Sequence, residues 1–85
     1  MKEFTYTIKD PLGIHARPAG TLVKTTEKFN CDITIHKEDK TADAKRIFSV
    51  MSLGVKEGDE IKLTFSGNDE DDALSALQIF LKENL

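Results

Sequence analysis

The hydrophobic period of this chain switches again and again between two and about 3.6 residues, and that alternation restricts its folds more than any other feature. Phe4, Tyr6 and Ile8 alternate with Thr5 and Thr7, which predicts a strand with one buried face, ended by Asp10, Pro11 and Gly13. Ala16, Ala19, Leu22 and Val23 then fall at helical spacing while Lys24, Glu27 and Lys28 face water, so a helix is predicted over residues 16–28. Ile33 and Ile35 mark a second strand, and Lys40 to Asp43 return as a short third one after a polar turn at Glu38 and Asp39. Ile47, Val50 and Met51 share a face in a short helix predicted from Lys45 to Leu53, with Gly54 placed to end it. Ile61, Leu63 and Phe65 form the fourth strand after turn residues Gly58 and Asp59. Asn68 is the expected cap of a last helix, whose first turn is acidic at Asp69 to Asp72 and whose stripe is Ala73, Leu74, Leu77, Phe80 and Leu81. The order is β-α-β-β-α-β-α. Since every strand has one apolar face, one sheet covered on one side by helices, an α+β arrangement, satisfies the pattern.

A chain of 85 residues builds one modest core and no deep pocket, which predicts a single domain over residues 1–85 with its function on the surface. The formal net charge of −3 and a single tyrosine argue against a nucleic-acid-binding sheet. No apolar run approaches the roughly 20 residues of a membrane helix, and Met-Lys-Glu-Phe at the start lacks the apolar stretch of a signal peptide, so a cytoplasmic protein without membrane insertion is expected. The lone Cys31 has no partner for an internal disulfide and is read as core filler. His36 lies on the polar side of its strand with no metal-ligand spacing around it, so no metal or cofactor is expected.

The chemistry concentrates at Gly13-Ile14-His15-Ala16-Arg17-Pro18-Ala19. Glycine permits a sharp turn, and proline is tolerated in a first helical turn because it needs no hydrogen-bond acceptor there. His15 therefore falls at or next to a helix N-cap, beside the unpaired amides of Ala16 and Arg17 and the Arg17 guanidinium. Such a place suits a phosphate. The same positive helix end disfavours a protonated imidazole, leaving a neutral ring nitrogen to act as nucleophile.

That seven-residue motif, with Lys28-Phe29-Asn30, Asp43-Ala44-Lys45, Val50-Met51-Ser52-Leu53-Gly54 and Asp72-Ala73-Leu74, closely resembles the HPr family of histidine-containing phosphocarriers of the phosphoenolpyruvate-dependent sugar phosphotransferase system. The resemblance spans nearly the whole chain. It implies an open-faced β-sandwich, a four-stranded antiparallel sheet with three helices on one face. It also implies that His15 is phosphorylated at Nδ1 by phospho-enzyme I, that Arg17 steadies the phosphate, and that the group passes to the IIA component of a sugar transporter. The chain would be a monomeric, stoichiometric carrier and not an enzyme.

In this family the short middle helix carries the docking surface. The residues support that independently, because Ile47, Phe48, Val50 and Met51 are too many apolar side chains for one buried stripe. Ile47, Phe48 and Met51 are expected to be exposed for partners, rimmed by Arg17, Lys24, Lys45 and Arg46. The sequence departs from the low-GC Gram-positive branch at position 46, where a regulatory serine is replaced by Arg46, which cannot receive that phosphate. Ser49 and Ser52 are read as ordinary helix-surface or cap residues. The departure supports one alternative: an HPr-like regulatory paralogue that binds target proteins through the middle-helix patch.

Overall fold

The structure, a computed structural model, describes residues 1–85. Seven elements follow one another: β1 (Lys2–Thr7), α1 (Ala16–Thr26), β2 (Asp32–Lys37), β3 (Lys40–Asp43), α2 (Ile47–Ser52), β4 (Glu60–Ser66) and α3 (Glu70–Asn84). The strands form one sheet in the order β1-β4-β2-β3, antiparallel throughout, with Phe4 opposite Leu63 and Ile35 opposite both Leu63 and Ala42. β1 and β2 therefore run parallel with β4 between them, as β3 and β4 do with β2 between them. Each pair is joined by a helix, and crossovers of one hand place both helices on the same face of the sheet. The expected order and open-faced architecture are thus observed.

Ile8, Leu22, Ile33, Ile35, Ile61, Leu63, Phe65, Leu77 and Leu81 are almost wholly buried between sheet and helices, and Phe4 stacks on Phe65 with ring centroids 5.9 Å apart. Thr26, the only buried polar residue, holds the α1 end against the chain after β3: its hydroxyl lies 2.9 Å from the Ala44 carbonyl and 3.0 Å from that of Val23. Two helix boundaries lie two residues from the sequence reading. The middle helix begins at Ile47 and not at Lys45, because the Asp43 carboxylate accepts the Lys45 N–H at 2.9 Å and the Asp43 carbonyl accepts that of Arg46 at 3.0 Å, drawing these residues into a turn. The first helix ends at Thr26, short of residue 28.

The cap of α3 is Asp69, not Asn68. Gly67 presses its backbone so closely on Cys31 that an added Cβ would lie 2.7 Å from Cys31 Cα, which leaves Asn68 exposed on the turn and brings Asp69 to the neighbouring amides. The Asp69 carboxylate accepts the N–H of Asn30 at 2.7 Å and of Cys31 at 2.9 Å. These bonds, that from Asn30 foremost, hold its carboxyl below the usual carboxylate range. A depressed folded-state value stabilises the fold above the unfolded value and is lost as pH falls through the folded one. Asp69→Ala is therefore expected to lower Tm at pH 7, with the gap to the wild type closing below a pH of about 4; melts across pH check this.

The two-residue turn between β2 and β3 places Glu38 at φ 55, while Asp39 keeps a negative φ, which excludes a type I′ turn. A positive φ strains an L side chain, whereas glycine adopts it freely. Glu38→Gly is expected to raise stability by roughly 0.5 kcal/mol after the entropy glycine adds to the unfolded chain, read as a shift in urea midpoint.

Candidate functional site

The loop between β1 and α1 is fastened on three sides before it reaches His15. At its start, the amides of Lys9 and Asp10 donate to the Leu85 carbonyl at 2.6 and 2.9 Å. Asp10-Pro11-Leu12-Gly13 then forms a tight turn, closed by the Gly13 N–H on the Asp10 carbonyl at 2.9 Å. Beyond it, Ile14 is buried and its N–H donates to the Val55 carbonyl at 3.2 Å. Gly13, at φ 67, lies flat against the Val55–Lys56 backbone. The loop thus delivers the next residue at a set place and angle.

That residue, His15, is the N-cap of α1, with extended backbone at φ −102 and ψ −176, and its side chain makes no capping hydrogen bond. Its carbonyl accepts the Ala19 N–H at 3.0 Å, but the N–H groups of Ala16 and Arg17 meet no acceptor, and Pro18 has no N–H to satisfy. Two amide donors therefore sit unpaired at the positive end of an 11-residue helix beside a half-exposed imidazole. The imidazole borders a shallow depression of about 330 Å³ whose lining is polar throughout, made by Asp10, His15, Arg17, Thr21, Glu83 and Asn84 with the ring of Pro18. The opening has room for a small group and not for a folded substrate. The one carboxylate oxygen within ion-pair distance of the ring is Asp10 Oδ2, 3.7 Å from His15 Nε2.

The sequence model for the family described as "PTS HPr component phosphorylation site" matches residues 2–83. The chain belongs to the HPr family. It is similar to the phosphocarrier protein HPr of Lysinibacillus sphaericus, 45% identical over 83 residues that cover 98% of this chain and 94% of that protein. The fold is similar to the solved histidine-containing phosphocarrier protein of a Mycoplasma, at TM-score 0.94 and 38% identity over 96% of this chain and 93% of that one. It is equally similar to HPr from Thermoanaerobacter tengcongensis, at TM-score 0.93 and 43% identity over 98% and 93% of the two chains.

Within this HPr-family fold, the sequence reading of the second candidate surface needs correction at two residues. Phe48 is 84% exposed and Met51 38%, but Ile47 is half-buried against the core, because its side chain reaches toward Gly20 on α1, where the absence of a Cβ leaves room for it. The Lys45 ammonium donates to the Phe29 carbonyl at 2.7 Å and so is tied to the α1–β2 connection, away from a free rim. Arg17, Lys24 and Arg46 are exposed, with Arg46 3.6 Å from Asp43. Leu12, 72% exposed on the turn before His15, adds an apolar side chain that the sequence pattern did not single out.

Cys31 is buried, and burial pushes its thiol up to about 11, so it stays protonated and inert at neutral pH. His36 is half-buried on the open face of the sheet, its Nε2 3.1 Å from the Thr64 hydroxyl, and is more constrained than the surface residue expected. Ser52 donates to the Ser49 carbonyl at 2.7 Å in the last turn of α2, an ordinary local bond. No helix is long and apolar enough to cross a membrane. Sequence reading missed Asp10, Thr21, Glu83 and Asn84 at the depression. Asp10 carried a signal, since Asp-Pro-x-Gly is the residue pattern of a tight turn whose first side chain bonds forward. Glu83 and Asn84 carried none, because only the sheet topology brings the end of α3 beside the start of α1.

Proposed function

We propose that His15 accepts a phosphoryl group from phospho-enzyme I and passes it to the IIA component of a sugar transporter. The observation that carries this reading is the imidazole at the α1 N-cap beside the two unpaired amides of Ala16 and Arg17, in a chain of the HPr family. Nδ1 attacks the phosphorus, the bond to the donor breaks, and the donor keeps the bonding pair. The amides of Ala16 and Arg17 and the Arg17 guanidinium hold the anionic oxygens as they arrive. Nothing in the depression supplies a second reacting group of its own, so the chain turns over with its partners as a stoichiometric carrier.

Partners dock on α2 through Phe48, Met51 and the exposed part of Ile47, with Arg17, Lys24 and Arg46 steering acidic faces into place. The same reading has the chain acting as a cytoplasmic monomer, one HPr-like domain over residues 1–85. Arg46 removes the phosphorylatable hydroxyl of the family's serine switch, so control by that route is absent from this reading. The test is a chase: enzyme I and radiolabelled phosphoenolpyruvate load the chain, and an unlabelled IIA domain is then added. Label is expected to leave the chain and appear on IIA, with no IIA labelling when the chain is omitted. Label that stays on the chain, or targets captured through Phe48 and Met51 equally well by a His15→Ala variant, would favour a regulatory binding protein instead.

A further inference from the structure

We infer that Asp10 is a positioning residue for His15: its carboxylate holds the ring in the Nε2–H form and thereby frees Nδ1 as the phosphoryl acceptor. This rests on the carrier reading above.

The geometry is specific to the carboxylate and not only to the loop. Three of the polar groups of Asp10 are already committed: its N–H to the Leu85 carbonyl at 2.9 Å, its carbonyl to the Gly13 N–H at 2.9 Å, and Oδ1 to the Leu12 N–H at 2.8 Å. With its main chain and one carboxylate oxygen fixed, the remaining oxygen, Oδ2, has no partner except His15 Nε2 at 3.7 Å. That is ion-pair reach, one small side-chain adjustment from a hydrogen bond. No other acid lies within ion-pair distance of the ring, although Glu83 and Arg17 also border the depression.

An ionised carboxylate only accepts hydrogen bonds, so it favours the tautomer that presents N–H to it. The two ring nitrogens lie on different edges, and fixing the proton on Nε2 leaves the Nδ1 lone pair free. When Nδ1 bonds to phosphorus, the donor's bond to the phosphoryl group breaks and the ring, still carrying its Nε2 proton, becomes positive. The carboxylate faces that developing charge on the side away from the new bond. A histidine ligand or base oriented by a carboxylate behind it works by the same physics.

Asp10→Asn separates this role from support of the loop. The amide keeps an oxygen for the Leu12 N–H but turns an NH₂ donor toward His15 Nε2, which favours the opposite tautomer, with the proton on Nδ1. Nitrogen chemical shifts of ¹⁵N-histidine-labelled, unphosphorylated protein at alkaline pH read the tautomer directly. The wild type is expected to hold the Nε2–H form, Asp10→Asn to move toward Nδ1–H, and Asp10→Glu to restore the wild-type pattern in part. Unchanged amide shifts at Leu12 and Gly13 confirm the loop. Phosphoryl acceptance from enzyme I should slow about tenfold or more in Asp10→Asn. The same tautomer in wild type and Asp10→Asn, or equal acceptance rates, would overturn the assignment. If the wild type took no phosphate at all the carrier reading would fall, while the tautomer comparison, made without phosphate, would still decide whether Asp10 governs the ring.

Discussion

His15→Ala is expected to abolish phosphoryl uptake while leaving the fold essentially intact. The two halves of that result have separate causes. The imidazole makes no capping hydrogen bond and is 30% exposed, so its removal opens no cavity and strands no buried donor. Stability should change by no more than about 0.5 kcal/mol, because His15, although the N-cap of α1, has no side-chain capping bond to lose. Uptake should disappear because no other group at the depression is as well suited to accept a phosphoryl group: Arg17 is cationic, Asn84 is an amide, the Thr21 hydroxyl already donates to the Arg17 carbonyl at 3.2 Å, and the Asp10 and Glu83 carboxylates are anions that repel the incoming phosphoryl oxygens. Thermal unfolding followed beside phosphate incorporation checks both halves on the same sample. A variant that melted far below the wild type would show that His15 holds the helix start together, a role its contacts do not suggest.

Gly13→Ala should be the most damaging single-methyl change near the site. Its φ of 67 costs an L residue about 1–2 kcal/mol, and the new Cβ would collide with the Val55 carbonyl oxygen and lie 2.8 Å from Lys56 Cα, both main-chain atoms that cannot swing aside. Overpacking of this kind adds about 1–3 kcal/mol, so a total loss of roughly 2–5 kcal/mol is expected. That is a large share of the roughly 5–15 kcal/mol that holds a domain of this kind folded. The damage should also reach the site, because Ile14 N–H bonds to that same Val55 carbonyl and His15 follows directly. Gly54→Ala is the control: it shares a positive φ of 64, but its Cβ meets nothing within 4 Å, so only the conformational cost remains. Urea unfolding of both variants separates the clash from the backbone preference; equal losses would mean that the loop yields to the methyl group.

The strands were readable because each buries one face. Ile33 and Ile35, and Ile61, Leu63 and Phe65, are buried at every second position, so the period in the sequence is the pattern of burial itself. The place of His15 at the start of α1 was readable for a similar reason, since glycine, histidine and proline each have a local backbone role there. The errors fall where side chains from distant segments compete for main-chain donors. Asn68 is a good cap in isolation, yet the amides of Asn30 and Cys31, far back in the sequence, draw Asp69 into that position. Lys45 looked like a free charge on a helix until the fold brought the Phe29 carbonyl within 2.7 Å of its ammonium. Asp10 was legible as the residue that ends a strand, but its nearness to the imidazole depends on a turn whose geometry spacing alone does not specify.

The central claim is that His15 carries the phosphoryl group, and intact mass tests it most directly. The protein is incubated with phosphoenolpyruvate, magnesium and enzyme I, and weighed before and after mild acid, with His15→Ala alongside. One added phosphate that acid removes, absent from the variant, is the predicted result, since a phosphorus–nitrogen bond is acid-labile where a serine or threonine phosphate survives. A folded wild-type protein that gains no mass, or gains a phosphate that resists acid and appears equally on His15→Ala, would contradict it.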